Sequence, residues 1–239
     1  MCHVCDEKQQ SRRDFLKVAA SGILGGLTLS SLPAFAAGGP TTHVTADEAL
    51  ARLKAGNDRF VNAPEFCSAQ LAKQRDAVAK SQTPWATIVS CADSRVPPEL
   101  LFGGAGIGEL FVARNAGNMC DTATMGTIEY GSGVLGVPLI VVLGHERCGA
   151  VAAACEVVEK KTKFPASIGP MVDAIVPAAQ AVFGKAGDFV ENAVRESALR
   201  TAKKIATDSS IIADLMKKGK VKVLAGRYDL DEGRVEFFS

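Results

Sequence analysis

The run Pro138-Leu139-Ile140-Val141-Val142-Leu143-Gly144 decides how this chain folds. It is apolar throughout, with no polar residue at alternate positions. A strand with one face in water would alternate, so this one is covered on both faces, as the strands of a parallel sheet are. Working outward, Trp85–Ser90 (WATIVS), Glu109–Ala113 (ELFVA) and Lys220–Gly226 (KVKVLAG) are short β-rich runs of the same kind. Helical stretches lie between them. TATMGTIEYGSGVLG and CGAVAAACEVVEKK are two, and two or three more fit between Ala166 and Lys218. Strands alternating with helices imply a parallel sheet with right-handed crossovers. A last run, Arg234–Phe238 (RVEFF), follows the turn Asp231-Glu232-Gly233 and suits an antiparallel edge strand. Ahead of the first strand, Thr45-Ala46-Asp47-Glu48 reads as a capping box. It predicts a helix with Leu50, Leu53, Phe60 and Val61 near one face, ended by Pro64. A second helix fits SAQLAKQRDAVAK (68–80). The predicted fold is α/β: a central, mostly parallel four-stranded sheet with an antiparallel edge strand, flanked by helices. The two leading helices would form an N-terminal arm able to pack on a partner subunit.

The chain has 239 residues, 47% hydrophobic and 22% charged, enough for one well-buried core. Net charge is +1, and no basic stripe interleaved with aromatics runs along it, which argues against nucleic-acid binding. The first residues have a different character. Ser11-Arg12-Arg13-Asp14-Phe15-Leu16-Lys17 precedes the apolar run VAASGILGGLTLSSL, then Pro33 and Ala34-Phe35-Ala36. This is a basic region, a modestly hydrophobic core and a small-residue cleavage site. SRRDFLK resembles the twin-arginine export signal. The apolar run is short against the ~20 residues a spanning helix needs. Residues 1–36 are therefore expected to be a cleaved leader, 37–44 a linker and 45–239 the working domain, exported to the periplasm and free of the membrane. The leader carries Lys8, Lys17, Arg12 and Arg13 against Asp6, Glu7 and Asp14, so a chain starting at Ala37 is formally neutral.

The cysteines are Cys2, Cys5, Cys67, Cys91, Cys120, Cys148 and Cys155. Five remain after Ala36, an odd number that argues against a simple disulfide framework. Cys2-His3-Val4-Cys5 looks like a metal knuckle but has no second half. Cys67, Cys120 and Cys155 read as small buried residues. In open α/β sheets, ligands bind outside the carboxyl ends of the strands. Cys91 lies just past one such end and His145-Glu146-Arg147-Cys148 just past another. Cys148 falls in a first helical turn, where the dipole favours a thiolate. Two thiolates and an imidazole are a known catalytic zinc set with a fourth position open. Taken singly these residues have ordinary explanations. A cysteine after a strand is usually inert core, and Asp93 with Arg95 is an ordinary surface ion pair.

Together, Cys91-Ala92-Asp93-Ser94-Arg95, Arg114-Asn115-Ala116-Gly117-Asn118 and Gly144-His145-Glu146-Arg147-Cys148-Gly149 strongly resemble the β-class carbonic anhydrases. The family pattern C-x-D-S-R followed by H-x-x-C stands intact, and the likeness runs from about Thr45 to the end, through Tyr228-Asp229-Leu230. The resemblance implies one Zn2+ per subunit, held by Cys91, His145 and Cys148. It implies reversible hydration of CO2 to bicarbonate and a proton by attack of zinc-bound hydroxide. Asp93 would accept a hydrogen bond from the zinc-bound water, and Arg95 would hold Asp93 off the metal. Gln82, Tyr130 and Gly149 would contact substrate, with Tyr130 of the kind often supplied across a subunit interface. A homodimer or larger homo-oligomer is implied. Ile88 stands where the bicarbonate-regulated subgroup has tryptophan, so the plant-like, open-site subgroup is expected. A chain starting at Ala37 keeps only His43 besides His145, which leaves buffer to carry the proton. Hydrolysis of carbonyl sulfide or carbon disulfide on the same scaffold is an alternative, and a non-catalytic zinc-binding protein another. The glycine run Gly103–Gly108 precedes a strand instead of opening a helix after one, so it fits a nucleotide-binding fingerprint badly.

Overall fold

The computed structural model describes residues 41–63 and 78–239. The predicted leader, the Cys2–Cys5 knuckle, Cys67 and most of the second predicted helix lie outside them. Five strands form one sheet: β1 (Ala86–Cys91), β2 (Leu110–Asn115), β3 (Leu139–His145), β4 (Lys222–Tyr228) and β5 (Val235–Phe238). Their order is β2-β1-β3-β4-β5, with the first four parallel and β5 antiparallel to β4. This is the predicted sheet. β1 and β3 each run one residue past the apolar run and β4 two. The ladder pairs Cys91 with Asn115 and His145 with Tyr228. Backbone hydrogen bonds thus carry the pairing beyond the point where hydrophobicity stops. Cys91 and His145 are last residues of strands, not the first of loops.

β3 lies at the centre, and Leu139 through Leu143 are fully buried. Burying each such side chain contributes roughly 1.5–3 kcal/mol. On one face, Val89, Ile140, Val142 and Ala225 pack under α3 (Thr122–Gly133), α7 (Phe189–Asp208) and α8 (Ser210–Lys217). On the other, Ile88, Val141 and Leu143 meet Leu53 of α1 (Ala46–Asn62) and Leu101 of α2 (Pro98–Leu101), with Phe102 just after it. A third cluster gathers α4 (Gly149–Lys160), α5 (Ile168–Asp173) and α6 (Val176–Val182) around Cys91 and Cys148. The two or three helices expected between Ala166 and Lys218 are four, α5 to α8. Pro177 in the first turn of α6 lacks the N–H that would continue α5. Ser209 separates α7 from α8 by accepting from the Ile212 N–H at 3.1 Å while its hydroxyl donates to Glu129 at 2.6 Å. No helix among the described residues is long and apolar enough to cross a membrane.

The predicted capping box is present. Glu48 accepts from the Thr45 N–H at 2.8 Å, and the Thr45 hydroxyl accepts from the Glu48 N–H at 3.3 Å. The helix it starts ends at Asn62, before the residue that Pro64 restricts. Its Ala49 and Leu53 are buried in the chain's own core, with Leu50 and Phe60 packed alongside. Gly56 lets the helix cross the backbone at Phe102, where a Cβ would stand 2.1 Å from the Phe102 oxygen. Next to it, buried Asn57 donates to the carbonyls of Leu101 and Gly233 and accepts from the Val235 N–H. One amide therefore ties α1 to the end of α2 and to the β4–β5 turn. Thr41 packs on Gly136 ahead of β3, and Asp47 pairs with Lys222 at the start of β4. The intervening segment, with His43 exposed on it, lies at the amino end of the sheet.

Asn57→Ala should leave three backbone groups without their partner and lower stability by about 3 kcal/mol. Urea unfolding of the two proteins checks this, and an unchanged midpoint would contradict it.

Candidate metal centre

From β1 the chain passes to β2 on one side, then crosses to β3 on the other. The order therefore reverses between β1 and β3, and ligands of open α/β sheets bind outside the carboxyl ends at such a point. Cys91 ends β1, His145 ends β3, and Cys148 is the N-cap of α4. Between the last two, Arg147 takes φ 52°, a left-handed turn that non-glycine residues rarely adopt. Two neighbours hold that turn. Arg147 forks onto the Asp231 carboxylate at 2.7 and 2.8 Å, and Glu146 accepts from the Leu230 N–H at 3.1 Å. Glu146, Asp229 and Asp231 lie close enough to share a cation. Each already has a partner, however: the Leu230 N–H, Arg227 and Arg147 respectively. They read as the brace of the turn.

The ligand atoms of Cys91, His145 and Cys148 all lie within 4.8 Å of one another, and all three residues are buried. The two sulfurs are 4.0 Å apart. Tetrahedral zinc with Zn–S near 2.3 Å places its sulfurs about 3.7 Å apart. His145 Nδ1 is 2.9 Å from the Glu146 carbonyl, which can only accept, so the ring proton sits on Nδ1. Nε2 is left as a lone-pair donor, buried and, among the described residues, without a hydrogen-bond partner. A buried imidazole nitrogen with nothing to bond is costly, and a metal ion removes that cost. The residues fit zinc.

The two thiols cannot both ionise at this separation without a cation. Cys91 is pulled down, chiefly because the Cys148 S–H donates to it, with the Gly117 N–H adding a bond at 3.3 Å. Cys148 is pushed up because it keeps the proton it shares with Cys91. Beside them, Arg95 forks onto Asp93, Nε to Oδ1 at 2.9 Å and Nη2 to Oδ2 at 2.7 Å. That fork holds the Asp93 carboxyl well below the usual range. Asp93 Oδ2 is 3.9 Å from His145 Nε2, next to the trio but not one of it.

With this geometry in view, the likeness to known proteins is specific. The chain matches the carbonic anhydrase family over residues 86–235. It belongs to the β-carbonic anhydrase family. Carbonic anhydrase 2 of Mycobacterium tuberculosis is 36% identical over 199 residues, covering 82% of this chain and 93% of the relative. The β-carbonic anhydrase of Coccomyxa, solved in complex with acetazolamide, superposes with a TM-score of 0.60 at 28% identity, over 72% of this chain and 79% of that one. A tetrameric β-carbonic anhydrase of Sordaria macrospora shares the fold, with a TM-score of 0.62 at 21% identity over 69% of this chain and 85% of that one. β-Carbonic anhydrases are zinc enzymes, and the Cys-His-Cys group they require is assembled here.

The structure brings five of the eight candidate residues of this β-carbonic anhydrase chain together: Cys91, His145, Cys148, Asp93 and Arg95. Gly149 opens α4 beside Cys148, and a Cβ there would meet no other part of the described chain within 4 Å beyond its neighbours and its own helix. Gln82 and Tyr130 stand elsewhere. They line an open cavity of about 620 Å³ with Ile107, Leu110 and Val134. Gln82 precedes the amino end of β1 and Cys91 is its carboxyl end. The six-residue strand ending at Cys91 is roughly 17–20 Å long, and Gln82 lies before its start. Tyr130 is 45% exposed, its ring tilted on Phe111. Two contacts were not legible beforehand, those of Arg114 and Gly117. Arg114 donates to the carbonyls of Cys91 and Asp93. Gly117 takes φ 80°, a left-handed conformation that a side chain would strain, and a Cβ there would also stand 2.6 Å from Ile175 Cδ1 and 3.2 Å from Ala150 Cβ. Both lie in the Arg114–Asn118 segment, which no spacing rule links to the trio.

The remaining described thiols are inert. Burial pushes Cys120 and Cys155 up to about 11 each. A raised thiol stays protonated until the pH approaches that value, and only the thiolate is nucleophilic. A brief iodoacetamide pulse at pH 8 should leave both unmodified in the native protein, as read by peptide mass spectrometry. Labelling of either at the rate of a free thiol would contradict their burial.

Proposed function

We propose that this chain hydrates CO2 reversibly to bicarbonate and a proton, with one Zn2+ per subunit held by Cys91, His145 and Cys148. The observation that carries the reading is the buried, unpartnered Nε2 of His145, set among two sulfurs and beside an arginine-neutralised aspartate. When bound, Zn2+ supplies a Lewis acid that brings the ionisation of a water ligand near neutral pH. The chain's own residues do the rest. Asp93, its charge offset by the Arg95 fork, accepts a proton-bearing hydrogen bond and aims the attacking oxygen's lone pair at CO2. Arg95 also keeps the carboxylate from closing on the trio. The formed Asp93–Arg95 fork and the presence of Ile88 in place of tryptophan support the open-site subgroup. His43, at the opposite end of the sheet from His145, is too remote to shuttle the proton, which favours buffer as its carrier.

Gln82 and Tyr130 cannot reach their own trio, so a second copy supplies them, and the functional unit is a homo-oligomer. Their shared cavity, more apolar than polar and with Tyr130 half exposed, supports an interface there.

Stopped-flow CO2 hydration with zinc analysis tests the reading. The parent should carry zinc and hydrate CO2, and Cys148→Ser should lose both. Arg95→Ala should keep zinc and lose most activity, on the order of 100-fold, because the freed carboxylate moves in. Full activity in zinc-loaded Arg95→Ala would refute the role of the fork. Headspace assays showing turnover of carbonyl sulfide or carbon disulfide in preference to CO2 would replace the substrate.

The leader supports export by the twin-arginine route, which moves folded proteins and so lets metal enter first. Arg12→Lys with Arg13→Lys should trap an uncleaved precursor in the cytoplasm, read by fractionation and immunoblot. Unimpaired export of that variant would remove the assignment.

A further inference from the structure

Arg114 is the next-to-last residue of β2, opposite Ser90 in the ladder. Its guanidinium reaches past the end of β1. Nε donates to the Cys91 carbonyl at 2.9 Å and Nη2 to the Asp93 carbonyl at 2.6 Å. Among the described residues no carboxylate pairs with it, although a fully charged side chain at a strand end would ordinarily find one. Its donors go instead to the two backbone oxygens that flank Ala92. The same short stretch has other ties. Ala92 donates to the Asn115 carbonyl at 2.9 Å, and Val96 donates to the Asp93 carbonyl at 3.0 Å.

We propose that Arg114 is a positioning residue for CO2 hydration, fixing where the Asp93 carboxylate stands relative to Cys91, His145 and Cys148 by holding the backbone that carries it. This rests on the reading of that trio as the hydration site. The Asp93–Arg95 fork cannot do the same. Arg95 follows Asp93 by two residues on one loop, so the pair moves as a unit if the loop shifts. The Val96 N–H belongs to that loop as well. Arg114 comes from another strand and provides a reference outside it. The geometry calls for arginine in particular. Nε and Nη2 lie on one edge of a rigid plane and present two parallel N–H bonds to carbonyls two residues apart. An ammonium group has no such edge. The bonds are charge-assisted, hence short and strong. A misplacement of about 1 Å in a catalytic group can cost on the order of 100-fold in rate, so a clamp on the main chain has a catalytic readout.

The test uses the full-length protein with Arg114→Gln and Arg114→Lys. Four quantities are measured: kcat/KM for CO2 at saturating buffer, zinc content, Tm, and amide hydrogen exchange over Ala92–Val96. In Arg114→Gln, zinc content should stay at the parental value and Tm, though lower, should stay above the assay temperature, while kcat/KM should fall about tenfold or more and exchange in Ala92–Val96 should speed up. Arg114→Lys, able to reach one carbonyl at a time, should fall between the two. Three results would overturn the proposal: parental kcat/KM in Arg114→Gln, a loss proportional to lost zinc or lost folded protein, or unchanged exchange. If Arg114→Gln does not fold, Arg114→Lys decides by the same readouts. If the parent itself fails to hydrate CO2, the underlying assignment falls, and the exchange measurement alone decides whether Arg114 holds the loop.

Discussion

Two sulfurs 4.0 Å apart in a buried position set the terms for everything around them. As two thiolates they would repel by about 4 kcal/mol even at an effective dielectric of 20. As a thiol and a thiolate they share one proton and leave His145 Nε2 with nothing to bond. A divalent cation resolves both problems at once, cancelling the charge and using the imidazole lone pair. The rest of the site can be read as a response to that ion. Asp93 adds a negative charge where there is none to spare, and Arg95 removes it. Glu146 faces away to the Leu230 N–H and stays clear of the sulfurs.

The scaffold makes the convergence inexpensive. A parallel sheet buried on both faces is rigid, and the reversal of strand order between β1 and β3 opens a crevice without bending either strand. Cys91 and His145 are placed by ladder register and Cys148 by the start of α4. Backbone strain near the site falls at Arg147, whose side chain is tied to Asp231 across the turn, and at Asn118, φ 46°, next to Gly117.

Much of this was legible in the residues. The β-rich runs gave the four parallel strands, most plainly β1 and β3, which are buried on both faces, the turn before Arg234 gave β5, and the capping box at Thr45 located the first helix. The trio could be placed at the carboxyl ends of two strands, and the trio and the Asp93–Arg95 fork could be named because C-x-D-S-R followed by H-x-x-C resembles the pattern of the β-class carbonic anhydrases. What was not legible depended on reach. Whether α1 lay on its own sheet or a neighbour's turned on Gly56 and Asn57, whose significance appears only against Phe102 and Val235. Arg114 looked like any strand-end cation until its donors were found on two carbonyls. Gln82, nine residues before Cys91, seemed near it in sequence, yet an extended strand turns that nearness into distance.

That separation has a consequence of its own. Gln82 and Cys91 stand at opposite ends of one strand, so one copy cannot bring both to a single small ligand. On the proposed reading, in which a second copy supplies Gln82, assembly is itself the on-switch, and activity per subunit falls as copies grow scarce. A chain folded alone, metal in place, would be a finished part waiting for its counterpart.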